Sequence, residues 1–332
     1  MTSKLLSIVI PVYNGASTIA ELVEALAQQP FGMAMEIVLV NDGSNDDSQA
    51  VCEQLVREAT VPVTLLAHSR NFGEHNAVMT GLRHAKGDYI LTMDDDLQNP
   101  PGEILKLLNK IRAENLDIVY ADFLTKRHTK WRNLGSISAN LIAEWLTEKP
   151  RGLYMSTFRC MNRFLVTQIL NYSGPYPFID GLVFQITNRI GSVEVMHFPN
   201  KTGRKNYTLS KLVRLWLTIF INFSTRPLQL SISLGLIIAA LGGLGATYVI
   251  VDYFMEKSIP SGWPSLAVLM MVFTGTQLII LGFMGEYIGR MFIHVGGRPQ
   301  AIVRSATTAL AACDCAEVES SNRVPQPTDV DA

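Results

Sequence analysis

The chain has 332 residues, a formal net charge of −1 and 48% hydrophobic content. Near-neutral charge argues against a nucleic-acid binder. The cysteines Cys52, Cys160, Cys313 and Cys315 make neither a disulfide framework nor a zinc spacing, which fits a reducing compartment. The apolar content is uneven. Residues 1–205 read as an ordinary α/β domain, whereas 228–290 are far more apolar. No signal peptide is legible, because Met1 to Leu6 leads directly into a strand pattern.

Leu6 to Val12 is a continuous apolar run of strand type, ended by Pro11 and Asn14-Gly15. Ser17 and Thr18 then open an amphipathic helix to about Ala27, with Glu21 placed to complete a capping box with Thr18. Glu36 to Val40 is a second buried strand, followed by Asn41-Asp42-Gly43-Ser44 and a helix over Ser48 to Glu58. Val63 to Ala67 is a third strand, His75 to His84 a third helix, and Tyr89 to Met93 a fourth strand. Alternating helices and apolar strands predict a mostly parallel sheet covered on both faces. Ligands of such sheets sit beyond the carboxyl ends of the strands, where Pro11 to Asn14, Asp42 to Ser44 and Asp94 to Gln98 converge. A dinucleotide glycine fingerprint is missing after the first strand. Asp42, Ser44, Asp46 and Glu53 imitate a calcium loop only partly, since Asp47 replaces the turn glycine and a strand precedes it.

The fourth strand ends in Asp94-Asp95-Asp96. Adjacent carboxylates repel unless solvated or neutralised by a cation. Strand alternation is expected to point Asp94 and Asp96 one way and Asp95 the other. Two hard oxygen ligands on one side suit Mg²⁺ or Mn²⁺ sharing its shell with phosphates. An exposed acidic turn capping the next helix (Ile104, Leu107, Leu108, Ile111) explains the triplet alone equally well.

Asp117 to Ala121 is a further strand. The basic segment Lys126, Arg127, His128, Lys130, Arg132 beside the apolar helix Ile137 to Leu146 reads either as a solvated face or as a clamp for an anionic head group. A second basic cluster, Lys201, Arg204 and Lys205 with Tyr207, precedes an amphipathic stretch from Leu209 to Phe223. Its flanking cations and Trp216 favour an interfacial helix over a core helix. Leu228 to Val251 and Ser265 to Ile288 are each long enough to span about 30 Å of hydrocarbon. Cations before the first span and after the second place both termini and the α/β domain in the cytoplasm. Small-residue runs such as Gly282, Gly285 and Gly289 allow close helix packing, including between subunits of a homo-oligomer. Ser305 to Ala332 lack apolar periodicity, which predicts disorder. The domain plan is therefore residues 1–207, an interfacial helix at 208–226, spans within 227–290, and a tail at 291–332.

Several stretches together resemble family 2 glycosyltransferases of the GT-A (Rossmann-like) fold, specifically the polyprenyl-phosphate branch. These are Ile8 to Asn14, Val40 to Asp46, Arg70-Asn71-Phe72-Gly73, Ala85 to Asp88, Met93 to Pro101 and Leu281 to Arg290, and the resemblance covers about residues 5 to 304. It implies that Pro11, Tyr13, Asn14, Asp42, Asn71 and Asp94 hold a UDP- or GDP-linked sugar donor. Asp94 and Asp96 match the family's D-x-D metal motif, with Gln98 beside the Mg²⁺ or Mn²⁺. Arg127 and Arg132 look like the arginines that receive donor or acceptor phosphates, and Arg204, Lys205 and Tyr207 like the loop that closes over the site. Lys205-Asn206 departs from the family's commoner Ser-Lys order, and Leu153 stands where many relatives have an acid. Asp180 reads either as a sugar contact or, at least equally, as an ordinary helix cap.

The implied activity is inverting transfer of a sugar to polyprenyl (undecaprenyl) phosphate at the inner membrane, giving a lipid-linked donor for cell-envelope glycans. Partners would be the nucleotide-sugar, the polyprenyl phosphate and membrane lipids. The rivals are transfer to another lipid, a processive synthase, which would carry a Gln-x-x-Arg-Trp motif not found here, and a catalytically silent nucleotide-sugar-binding membrane scaffold.

Overall fold

The computed structural model describes residues 4–123, 153–198, 262–296 and 299–308, with single positions between 233 and 255. Its centre is an eight-stranded mixed sheet. The strands are β1 (Leu5–Val12), β2 (Ala34–Asn41), β3 (Val63–His68), β4 (Tyr89–Thr92), β5 (Ile118–Phe123), β6 (Arg159–Asn162), β7 (Ile190–Val195) and β8 (Val303–Thr308). They lie in the order β7-β5-β6-β4-β1-β2-β3-β8. β1 pairs in parallel with β2 and β4, β2 with β3, and β5 with β7. β6 runs antiparallel to β4 and β5, and β8 antiparallel to β3.

Alternation along β1 shows why the sheet is covered on both sides. Leu6, Ile8, Ile10 and Val12 pack into one apolar cluster with Ile19, Leu22 and Leu26 of α1 (Ile19–Ala27), Cys52 and Val56 of α2 (Ser48–Glu58), and Leu107, Leu108 and Ile111 of α4 (Ile104–Ala113). Val9 points to the opposite cluster, with Ala77, Met79 and Leu82 of α3 (Glu74–His84), Leu165 and Val166 of α5 (Arg163–Leu170), and Val183 of α6 (Ile179–Ile186). A two-residue period on the strands meets a 3.6-residue period on the helices, so each layer buries one face.

Three expectations are corrected. The capping box at α1 does not form: Thr18 makes no side-chain cap, and its hydroxyl donates instead to the Gly15 carbonyl at 3.2 Å. Residues 305–308, expected to be disordered, complete the sheet as part of β8, whose side chains are all exposed. Sequence periodicity misses such a strand because backbone pairing to β3, not burial, holds it. Asp180, read as a helix cap or a sugar contact, does not cap. It lies in the first turn of α6, is 8% exposed, and pairs with Arg159 Nη1 while accepting the Tyr120 hydroxyl at 2.8 Å.

The tail is tied down at a second point. Gln300, 6% exposed, donates to the carbonyls of Tyr172 and Gly174 and accepts from Arg83. Before it runs α7 (Trp263–Val295), 33 residues long. Among the described residues no helix combines the length and apolarity needed to cross a membrane. α7 has the length, and its described side chains include exposed Leu266, Leu269, Met270, Leu278, Met291 and Phe292. The first expected span and the interfacial stretch lie outside the described residues, apart from single positions.

Removing the carboxylate of Asp180 strands a buried guanidinium. Asp180→Ala is expected to cost about 3–5 kcal/mol in denaturant unfolding, with Asp180→Asn intermediate. His75 stacks edge-on against Phe178 at 5.5 Å, and burial pushes its imidazole down to about 4, against a smaller upward pull from Asp180. Between that value and the ordinary 6.5 the unfolded chain binds the proton and the folded chain does not. Stability is therefore expected to fall as pH drops through that window, and thermal unfolding of His75→Gln should show a shallower fall.

Candidate active site

The loops after β1, β2, β3 and β4 meet at the carboxyl edge of the sheet around a cavity of about 810 Å³. Pro11, Tyr13, Asn14, Asp42, Asn71, Asp94, Asp96 and Gln98 all line it. Every sequence-derived donor and metal candidate is thus brought to one place. Arg127, Arg132, Arg204, Lys205 and Tyr207 lie outside the described residues.

The wall formed by β1, β2 and β3 is a web of backbone groups held by short polar side chains. Asp42, 2% exposed, accepts the N–H groups of Phe72 and Gly73, each at 2.8 Å, and Nδ1–H of His68 at 2.8 Å. Its carboxylate therefore shapes the loop carrying Asn71, and only its remaining acceptor capacity is left for a ligand. Gly43 lets that loop approach: φ is +65°, and a Cβ there would lie 2.5 Å from the Arg70 carbonyl carbon. Asn14, at φ 55°, accepts the Asn45 N–H through its side chain and donates its own N–H to Ser44 Oγ. Tyr13, 47% exposed, leaves a ring face available at the rim.

The acidic run differs from its strand-based expectation. β4 ends at Thr92 and Leu97 takes φ 60°, so pleat alternation stops before the carboxylates and all three line the cavity. Each has its own donor. Asp94 accepts the Thr157 hydroxyl at 2.7 Å, Asp95 the Tyr13 N–H at 3.4 Å, and Asp96 the Gln98 side-chain amide at 2.5 Å and Gln98 N–H at 3.1 Å. Burial pushes Asp95 up to about 7, with the Tyr13 N–H pulling down and the charges of Asp94 and Asp96 pushing up. Gln98, expected beside the metal, lines the cavity and donates its side-chain amide N–H to Asp96.

Whether the site fits a divalent cation follows from these donors. Among the described residues no group of three or more His, Cys, Asp or Glu side chains forms a complete cage. Two half-buried carboxylates, each oriented by hydrogen bonds from the chain, suit an ion that takes its other ligands from phosphate and water. The donor set fits Mg²⁺ or Mn²⁺ on those terms.

The cavity also recruits residues that no motif marks. Glu74, at the start of α3, opens onto it with an exposed side chain, and crowding by the protein around the cavity and then the charge of Asp94 raise it to about 7. In the sequence it reads only as an acid in a first helical turn. Phe123, Tyr154 and His197 form an aromatic side of the cavity. The Phe123 ring lies 5.6 Å from that of Tyr154 and 4.2 Å from that of His197. They come from segments far apart in the chain, which no local pattern joins. Leu153, the departure from the acidic position, packs partly buried against the core cluster containing Tyr120 and Met161. Cys52 and Cys160 are buried, and burial pushes both thiols to about 12, which leaves them unreactive.

Comparison with known proteins agrees with this geometry. Residues 7–166 match Glycosyl transferase family 2. The chain is 33% identical over 314 residues to the undecaprenyl-phosphate 4-deoxy-4-formamido-L-arabinose transferase of Klebsiella pneumoniae (strain 342), covering 92% of this chain and 96% of that one. It is 34% identical over 313 residues to the protein of the same name from Pseudomonas syringae pv. syringae (strain B728a), with 92% of each covered. In fold it is similar to glucosyl-3-phosphoglycerate synthase from Mycobacterium tuberculosis, solved with Mn²⁺, UDP and glucosyl-3-phosphoglycerate. That likeness has a TM-score of 0.50 at 15% identity, over 66% of this chain and 78% of that one.

A Cβ on Gly15 would fall 2.1 Å from Asp95 Oδ2. Gly15→Ala is therefore expected to displace the acidic run while leaving the sheet intact. Metal-dependent nucleotide binding should weaken about tenfold or more, with unchanged far-UV circular dichroism.

Proposed function

Since the chain belongs to glycosyl transferase family 2, we propose that it moves a sugar from a nucleotide-sugar to polyprenyl phosphate at a membrane surface. The observation that carries this reading is the meeting, in one cavity, of the β1–β3 loop wall with Asp94 and Asp96 at the end of β4. The relatives named as undecaprenyl-phosphate transferases, matched over nearly their whole length, support the acceptor class.

The nucleotide lies along Pro11, Tyr13, Asn14, Asp42 and Asn71, with its base towards Asn71 and its diphosphate towards Asp94. Asp94 and Asp96 hold the Mg²⁺ or Mn²⁺, which when bound offsets charge on the leaving diphosphate. Thr157 and Gln98 keep the two carboxylates in place before the ion arrives, so little reorganisation is left for the reaction. A phosphate monoester has its second pKa near ~6 and is largely ionised at neutral pH, so it attacks the sugar carbon without a general base. An apolar Leu153 is compatible with that chemistry. Inversion follows from a single in-line displacement, for which the protein supplies position and charge.

The membrane reading is part of the proposal. The apolar stretches at 228–251 and 265–288 embed the protein, with the α/β domain and both termini on the cytoplasmic side. The exposed apolar side chains of α7 support this, because an aqueous surface rarely carries so many together. Arg127 and Arg132 receive phosphate, Arg204, Lys205 and Tyr207 close over the site, and the glycines of the second span support a homo-oligomer.

The test is transfer of labelled sugar from a panel of UDP- and GDP-sugars to undecaprenyl phosphate, by the purified chain with Mg²⁺ or Mn²⁺. An acid-labile lipid product is expected, lost with chelator and lost in Asp96→Ala. Gln98→Ala should retain activity reduced about 10- to 100-fold. Nucleotide binding with no lipid product from any donor would sink the acceptor assignment.

A further inference from the structure

The order of the strands lays the cavity out as a sequence of stations. Asn71 follows β3, Asp42 follows β2, Pro11 to Asn14 end β1, and Asp94 to Asp96 follow β4. Continuing in the same direction across β6 come β5, which ends in Phe123, and β7, which leads into His197. Neighbouring strands are about 4.8 Å apart, so β5 lies roughly 10 Å beyond β4. A donor with its base at the β3 end and its diphosphate at β4 therefore directs the next group in the molecule, the sugar, towards β6 and β5.

What stands there is aromatic. Phe123 meets Tyr154 at 5.6 Å with the rings inclined at 69°, and meets His197 at 4.2 Å and 36°. All three rings are half-buried and line the cavity. Two hydrogen bonds fix this wall to the acidic run. The Thr157 hydroxyl, three residues after Tyr154, donates to Asp94, and the Phe198 N–H, next to His197, donates to the Gln98 carbonyl at 2.9 Å. A third ties the same segment lower down, from Met196 N–H to Glu103 Oε2 at 3.2 Å. The wall thus has a set position relative to Asp94 and Asp96.

We propose that Phe123, Tyr154 and His197 form the platform against which the transferred sugar ring lies, which makes them specificity-determining residues of the donor site. The assignment rests on the donor reading above. A sugar presents patches of C–H as well as hydroxyls, and a rigid aromatic surface buries the former at little cost in conformational entropy. A sugar whose polar substituent is turned into the rings would lose that group's water without gaining a partner, so the platform also selects. The rival occupants fit less well. The nucleobase belongs at the far end of the series, and of the three side chains only His197 can present charge to an acceptor phosphate.

The experiment separates sugar from nucleotide. Affinities for UDP and GDP, and for the corresponding nucleotide-sugars, are measured calorimetrically on the full chain in detergent with Mn²⁺. The unmodified chain is compared with Phe123→Leu, Tyr154→Leu and the ring-preserving Tyr154→Phe, and steady-state KM for undecaprenyl phosphate is measured alongside. The leucine variants are expected to weaken nucleotide-sugar binding about three- to tenfold while leaving nucleoside diphosphate affinity unchanged, and Tyr154→Phe to retain it. Equal weakening of both ligands, or a change only in the KM for the lipid, overturns the assignment. Nucleotide-sugar binding that ignores the leucine variants overturns it alone. Failure of the unmodified chain to bind any nucleotide-sugar overturns it together with the donor reading.

Discussion

Three adjacent carboxylates at the end of one strand repel each other, and much of the active edge of the sheet is arranged around that repulsion. Each carboxylate is held by a donor from a different piece of chain: Thr157 for Asp94, Tyr13 for Asp95 and Gln98 for Asp96. Two of those donors depend on where β4 lies. With β1 on one side and β6 on the other, the loop after β1 brings Tyr13 and the segment entering β6 brings Thr157. A strand at the edge of the sheet would have a neighbour on one side only. The charge cluster therefore needs a central strand, and the mixed sheet supplies one.

The same loops show how much of the site is backbone. Asp42 was expected to face the ligand, yet most of its acceptor capacity goes to the amides of Phe72 and Gly73 and to His68. Its conversion to a neutral side chain would alter the surface on which a ligand rests before altering any contact with the ligand itself. Beneath the cavity, Tyr120, Arg159 and Asp180 lock β5, β6 and α6 together. A buried ion pair is weak support for stability as such, but it is intolerant of misplacement.

The parts legible in the sequence are those governed by local pattern. The apolar runs of β1 to β4 and the helices after them follow from periodicity, and the carboxyl edge of the sheet then gathers Pro11, Asp42, Asn71 and Asp94. What stayed hidden depends on distant partners. β6 is four residues long and starts with an arginine, which reads as polar until Asp180 is seen 21 positions later. Asp180 itself reads as a cap because its partner is not local. Asp95 faces the cavity with Asp94 and Asp96 because the strand, and with it the alternation, ends at Thr92. Phe123, Tyr154 and His197 are unremarkable singly, and only the fold puts their rings in contact.

β8 adds an order of events to this architecture. The Thr64 and Thr308 hydroxyls meet across 244 positions of sequence, so the strand that closes the sheet is synthesised after every other described element. A ribosome releasing the chain presents β3 first as an open edge, and the long apolar helix must leave the tunnel before that edge is covered. Until then only seven of the eight described strands have been made, and a version cut before α7 would lack the eighth altogether.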